Sequence, residues 1–239
     1  MSSKTLCIAD TCSLIYLSDI ELMKKPLYSW LFNEFDVAYS DFVWNKELKP
    51  QLGRLTDKIR KKLTRGGVNK PRLVNQSQEE ALFGSFYRME YVGVCSRCSQ
   101  PISKHKLVNI NLQSDTDRGE RHNCVIALDT VRSGEHRQVI YLTDDYKAAR
   151  NYVHPIFEIF PLGNVWSSYD FVLYLFVRYY FLRIHIDDIK KSLRDITAKA
   201  LGSAKAQGIS KKTELIWQKR FITYSQKVDR IDQVMQKFP

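Results

Sequence analysis

The chain has 239 residues, 44% of them hydrophobic, with a formal net charge of +11. That apolar share can build the core of one large domain, or of one domain with appendages, and it excludes disorder along the whole chain. The basic balance suits a polyanionic partner, either nucleic acid or an anionic membrane surface.

The first segment, MSSKTLCIADTC, has an apolar run too short and too interrupted for a secretion signal. Within it TLCIA reads as a buried strand, followed by the polar corner Asp10-Thr11-Cys12-Ser13 and an apolar helical stretch to Leu17, with Thr11 or Ser13 as its cap. Asp19 to Phe35 reads as a helix, and DVAYS, Asp36 to Ser40, as a second strand leading into a helix with Asp41, Trp44 and Glu47. From Arg54 to Arg72 the chain turns strongly basic, a helix that a Gly66-Gly67 break and Pro71 convert into a loop. Glu79 to Glu90 is expected to be helical. Val92 to His105, with Cys95-x-x-Cys98, is expected as a loop or hairpin, so that residues 54–112 form an insertion.

Asp115 to Arg132 reads as a helix capped by Ser114 or Asp115, with acidic residues in its first turn where the helix dipole favours them. Gln138 to Leu142 is a buried-type strand ending at Thr143-Asp144-Asp145, and a helix from Tyr146 to Tyr152 follows. IFEIF, Ile156 to Phe160, is expected as one more short strand. The remainder reads as helices at Ser168 to Phe181, Asp187 to Leu201 and Lys212 to Phe238. The apolar run Val165 to Ile186 contains Asp170, Arg178, Arg183 and His185, a poor composition for a membrane span. Five cysteines without a secretion signal argue for reduced thiols and a cytoplasmic protein. The alternation of strands and helices predicts an α/β domain over residues 1–201, a mainly parallel central sheet covered by helices, with a helical C-terminal extension over residues 202–239.

In an open parallel sheet the C-terminal ends of the strands form the ligand crevice. Asp10 directly follows TLCIA, and Asp144 and Asp145 directly follow QVIYL, so two strands deliver carboxylates to one edge. Glu120, in the first turns of its helix, can point back toward that edge. Carboxylates crowded together repel one another unless something neutralises them. One or two Mg²⁺ or Mn²⁺ ions would do so, and would pair with substrate phosphates and make a water nucleophilic. Singly, such aspartates serve as helix caps or solvated turns; in combination with the +11 charge they favour a phosphodiester substrate. A receiver-like phosphoacceptor domain would carry its acidic pair at the first strand, whereas here the pair comes late.

Two further features stand outside that edge. Cys95-x-x-Cys98 is half of a tetrahedral zinc site, which His105, or His122 with Cys124, could complete. The basic segment holds Arg54, Lys58, Lys61, Lys62 and Arg65, a stripe able to neutralise the phosphates of RNA or DNA, or a solvated helix face. In the tail, Trp217 and Phe221 fit packing better than base stacking.

The chain resembles the PIN-domain nucleases, including their toxin-like members. IADTCSLIYL (Ile8 to Leu17) is similar to that family's opening strand and D-x-S-x-L-I segment, and SDFVWNKEL (Ser40 to Leu48) to its second motif. DRGERHNCVIAL (Asp117 to Leu128) resembles the central D-x-G-E helix, and YLTDDYKAAR (Tyr141 to Arg150) the closing segment. The resemblance implies a three-layer α/β/α fold and an Mg²⁺- or Mn²⁺-dependent endoribonuclease, with a catalytically idle RNA- or protein-binding module as the alternative. It implies an acidic site of Asp10, Glu47, Glu120, Asp144 and Asp145, with Ser13 and Thr143 as polar supports. Arg150 becomes a helix-anchoring or phosphate-contacting residue. A homodimer, a small inhibitor or antitoxin protein, and a role as toxin or defence effector follow from the same resemblance.

Overall fold

Leu6–Ala9 (β1) realises the apolar run TLCIA, and all four residues are buried. It is one of two central strands in a four-stranded sheet ordered β4-β1-β5-β6, where β4 is Asp36–Ala38, β5 is Val139–Leu142 and β6 is Gly163–Trp166. Every pairing is parallel. Leu6 stands opposite both Asp36 and Val139, and Leu142 stands opposite both Ala9 and Trp166. The four residues of β5 are buried as well, the unbroken apolar signature of a parallel strand covered on both faces. This computed structural model describes residues 4–51, 72–86, 99, 101, 111–182, 184–206, 208 and 211–238.

The chain divides into two compact units, Met1–Leu14 with Leu31–Trp166, and Ile15–Trp30 with Ser167–Pro239. The first unit contains the sheet. Helix α1 (Thr11–Ser18) begins in it, and α2 (Leu27–Glu34) ends in it. Val43–Leu48 is a π-helical segment where an ordinary helix was expected. Helix α3 (Gln76–Phe86) is capped reciprocally: Gln78 N–H donates to Asn75 Oδ1 (2.9 Å), and Asn75 N–H to Gln78 Oε1 (3.0 Å). Helix α4 (Arg118–Arg132) brings Cys124, Val125, Ile126 and Ala127 into one core with Leu6, Ile8, Val139, Tyr141, Ile156 and Phe157.

Three expectations need correction. Helix α4 starts at Arg118 rather than Asp115, because Asp117 takes a left-handed backbone (φ 56°) and its side chain does not cap. Instead Asp117 accepts a hydrogen bond from Tyr152 Oη at 3.0 Å. The segment IFEIF is helical: α5 (Tyr146–Ala148) runs through a π turn, Ala149–Val153, into α6 (His154–Ile159). Val153, Ile156, Phe157 and Phe160 recur at the i, i+3, i+4, i+7 spacing of a helix, and all of them join or line the core. Pro155 suits the first turn of α6. The sheet's fourth strand is GNVW instead. Finally, Asp19 to Phe35 is interrupted by a hairpin, Glu21–Leu22 (β2) against Lys25–Pro26 (β3), whose turn residues Met23 and Lys24 both have positive φ, 53° and 59°.

The second unit is that hairpin with helices α7 (Ser168–Arg178), α8 (Ile186–Ala206) and α9 (Lys211–Met235). The stretch from Ser168 to Leu201, expected with the sheet domain, falls in the same compact unit as residues 202–239. A capping box of Ser167 and Asp170 starts α7. Trp217 is buried, stacked on Tyr169 with ring centroids 6.1 Å apart, as its packing role predicts. Tyr224 Oη donates to Asp170 (2.5 Å), and Lys190 pairs with Asp229 (2.6 Å). None of the described helices is long and apolar enough to cross a membrane.

Gly163 opens β6 at φ +140°, and an added Cβ would overlap the Val139 carbonyl oxygen and stand 2.8 Å from the Val139 nitrogen. Gly163→Ala is therefore expected to lower stability by about 2–4 kcal/mol through strain at a special backbone angle. Gly84→Ala, inside α3 with nothing within 4 Å of the new Cβ, is expected to gain about 0.5–1 kcal/mol. Denaturant midpoints of the two variants against the parent check both.

Candidate functional site

The parallel register of β1 and β5 continues one step past the strands, where Asp10 N–H donates to Leu142 carbonyl oxygen at 2.9 Å. Asp10 and Thr143 therefore emerge together. Asp10 is buried and its carboxylate is held on both oxygens. Oδ1 accepts from Thr11 N–H (2.6 Å), while Oδ2 accepts from Thr143 Oγ1 (2.9 Å) and Cys12 Sγ (2.9 Å). Asp10 is thus also the cap of α1, a role the sequence suggested for Thr11 or Ser13. Ser13 Oγ donates to Asp144 Oδ2 at 2.8 Å, and both residues are buried.

Glu47 reaches the same corner from the π-helical segment: Thr11 Oγ1 donates to Glu47 Oε2 at 2.7 Å. Gly119, at the start of α4, leaves room for it. A Cβ there would overlap Glu47 Oε1 and stand 3.0 Å from Val43 Cγ2. Glu120 follows at once on α4. Asp145 is different, being exposed: its Oδ1 accepts from Lys147 N–H (2.8 Å) and its own N–H donates to Thr143 Oγ1 (3.1 Å), so it caps α5. Arg150 lies exposed in the π turn after α5.

The electrostatics follow from this crowding. Burial, and secondarily the charges of Asp10, Glu47 and Asp145, push the Glu120 carboxyl up to about 8. Burial also raises Glu47, with Asp10 adding to it and the Thr11 hydroxyl opposing. Asp10 is raised by burial, opposed by its donors Cys12, Thr143 and Thr11 N–H. Among the described residues no Lys or Arg acts on any of these three acids. No three His, Cys, Asp or Glu side chains among those residues are already gathered tightly enough to grip a metal ion. The donor set is nevertheless all oxygen and rich in carboxylates, which is the chemistry a hard divalent ion requires. Asp10, Glu47, Glu120 and Asp144 are the residues that would hold it.

A second network holds the start of α4 and was not foreseen from the sequence. Glu79 of α3 and Arg121 of α4 form a buried ion pair, Nε to Oε1 2.5 Å, each about 1% exposed. Arg121 also donates from Nη1 to the carbonyl of Thr116 (2.6 Å) and from Nη2 to that of Ser114 (2.7 Å). Burial alone would raise the Glu79 carboxyl, but His122 and Arg121 hold it below its usual range. His122 stands 3.4 Å from Glu79 Oε2 and edge-on to Phe42, and Cys124 is enclosed in the core, where burial pushes its thiol up. The proposed zinc partners Cys95 and Cys98, with His105, and the basic residues Arg54, Lys58, Lys61, Lys62 and Arg65 lie outside the described residues. Arg72, at the end of that basic segment, forms a two-pronged pair with Glu135 (2.5 and 3.0 Å) and also bonds Thr130 (3.0 Å).

Neither a protein-family model, nor a curated protein, nor a solved structure matches this chain.

Two outcomes test these arrangements. Glu120, with a folded-state pKa near 8 against an ordinary 4.5, is favourable to folding when protonated, so the metal-free protein should lose stability as pH rises from about 4.5 through 8. Glu120→Gln removes that loss. Its melting temperature should exceed the parent's at pH 8, with the advantage fading toward pH 5. Arg121→Met leaves Glu79 buried without its partner and should cost about 3–5 kcal/mol, read as a shifted denaturant midpoint.

Proposed function

We propose that this chain is a metal-dependent nuclease of the PIN type, an endoribonuclease that hydrolyses phosphodiesters in RNA. The supporting observation is the convergence of Asp10, Glu47 and Asp144 on one corner through Thr11, Ser13 and Thr143, with Glu120 beside them. Asp10 raises the proton affinity of Glu47 and, together with Glu47, that of Glu120, and among the described residues no protein cation offsets Asp10, Glu47 or Glu120. A bound Mg²⁺ or Mn²⁺ would supply charge neutralisation and Lewis acidity at that corner. The chain's own contribution is positional. Thr143 and the Thr11 amide fix the Asp10 oxygens, Ser13 fixes Asp144, and Thr11 fixes Glu47, so ligand atoms need little reordering when a cation and a phosphate arrive. The net charge of +11 draws the polyanion in. Asp10, Glu47, Glu120 and Asp144, one acid from each motif that resembles the PIN family, lie in one unit of the fold, and the mainly parallel sheet of that unit is compatible with the three-layer α/β/α reading.

The second reading, an idle PIN-like module that binds RNA or protein, rests on a specific observation. Both Asp10 oxygens are already occupied by internal donors.

Mixed single-stranded RNA incubated with Mn²⁺ separates the two. Under the nuclease reading the parent cleaves, and Asp10→Asn with Asp144→Asn falls by at least about 100-fold. Mn²⁺ should also raise the parent's melting temperature and leave that double variant unmoved, by the linkage of ligand binding to folding. Equal behaviour of parent and variant in both assays would sink the nuclease reading in favour of the idle module.

A further inference from the structure

Tyr146 is a large aromatic residue left 56% exposed at the first position of α5, immediately after Asp144 and Asp145. Tyr39, just after β4, and Tyr141, in β5, are by contrast buried. Tyr146 has no ring, cation or side-chain hydrogen-bond partner among the described residues. Its place is fixed, since the Asp145 carboxylate caps Lys147 N–H and sets where the helix starts. Two residues of backbone span at most about 7 Å, so the Tyr146 Cα cannot stand further than that from the Cα of Asp144. Lys147 and Arg150, both exposed, follow on the same short helical stretch. An exposed aromatic side chain thus follows the acids of the corner by one and two residues, and precedes Lys147 by one and Arg150 by four.

We propose that Tyr146 is a stacking platform for a nucleobase, and that the strand it receives is single-stranded nucleic acid. The proposal rests on the nucleic-acid reading above and deepens it by naming the substrate class. A duplex keeps its base faces covered by neighbouring pairs, whereas an unpaired base offers one to any aromatic ring regardless of sequence. Lys147 and Arg150 neutralise the phosphates on either side of that base, which offsets the repulsion of a polyanion by the acidic corner. Tyr146 touches the strand but not the reacting atoms; it positions.

Binding, read apart from cleavage, tests it. A fluorescently labelled, mixed-sequence single-stranded oligoribonucleotide is titrated with the Asp144→Asn protein, alone or with a Tyr146 or Lys147 change, and followed by anisotropy. Tyr146→Ala should weaken binding about 5- to 100-fold, while Tyr146→Phe stays within about twofold, since stacking needs the ring and not the hydroxyl. Because the lost contact is uncharged, Tyr146→Ala should leave the dependence of log K on log salt unchanged; Lys147→Ala should flatten that slope by about 0.7, one phosphate contact on a single strand. The same sequence as DNA tells which sugar is preferred, and either preference sustains the platform. Binding of Tyr146→Ala as tight as that of the Asp144→Asn protein, or equal affinity for a perfect RNA duplex, overturns it. These readings hold even if the parent cuts nothing, so a failed nuclease assay and a failed platform are distinguishable.

Discussion

The level ending of two adjacent parallel strands is the constraint on which the carboxylate corner depends. Because Leu6 to Ala9 runs in step with Val139 to Leu142, the residues after each strand leave the sheet side by side. Asp10 and Thr143 are then close enough to bond, although they are 133 positions apart in the chain. A one-residue slip would turn the buried side chains of β1 to the opposite face, so the packed core defends the register and with it the corner. Gly163 belongs to the same constraint, letting β6 lie against Val139 where a side chain would collide.

Gathering acids in a buried corner is unfavourable to folding, and the surroundings moderate that cost without removing it. Hydroxyl and amide donors from Thr11 and Thr143 stabilise the charged forms of Asp10 and Glu47, yet Glu120 remains raised to about 8. Proteins accept such unfavourable arrangements mainly where a ligand relieves them. The Glu79–Arg121 pair supports the corner from behind. Arg121 also holds the Ser114 and Thr116 carbonyls, which anchors the turn ahead of α4 and sets where Gly119 and Glu120 begin.

Much of the fold was legible because its signals are local. The strands at TLCIA and QVIYL announce themselves as unbroken apolar runs, and the helices from Ser168 onward by their length and periodicity. The segment from Ile156 to Phe160 misled for a definable reason: its β-branched and aromatic content suggests a strand, while its spacing with Val153 is helical, and burial decided for spacing. GNVW was illegible as a strand because a glycine at its head counts against one locally, and only the close approach of Val139 makes that glycine necessary. Met23 and Lys24, both left-handed in a hairpin turn, carry none of the Asn or Gly that usually marks one.

Sequence by itself determined the acidic residues at strand ends, since strand, corner and helix are contiguous in the chain, and it determined the parallel sheet through the alternation of apolar strands with helices. Which acid bonds to what was decided only by the tertiary structure. Thr11 turned out to hold Glu47, Gly119 to make room for it, and Asp145 to cap a helix while Asp144 is buried against Ser13. Those relations join residues tens of positions apart. They depend on strand register and on where α4 begins, and no local spacing in the chain encodes either.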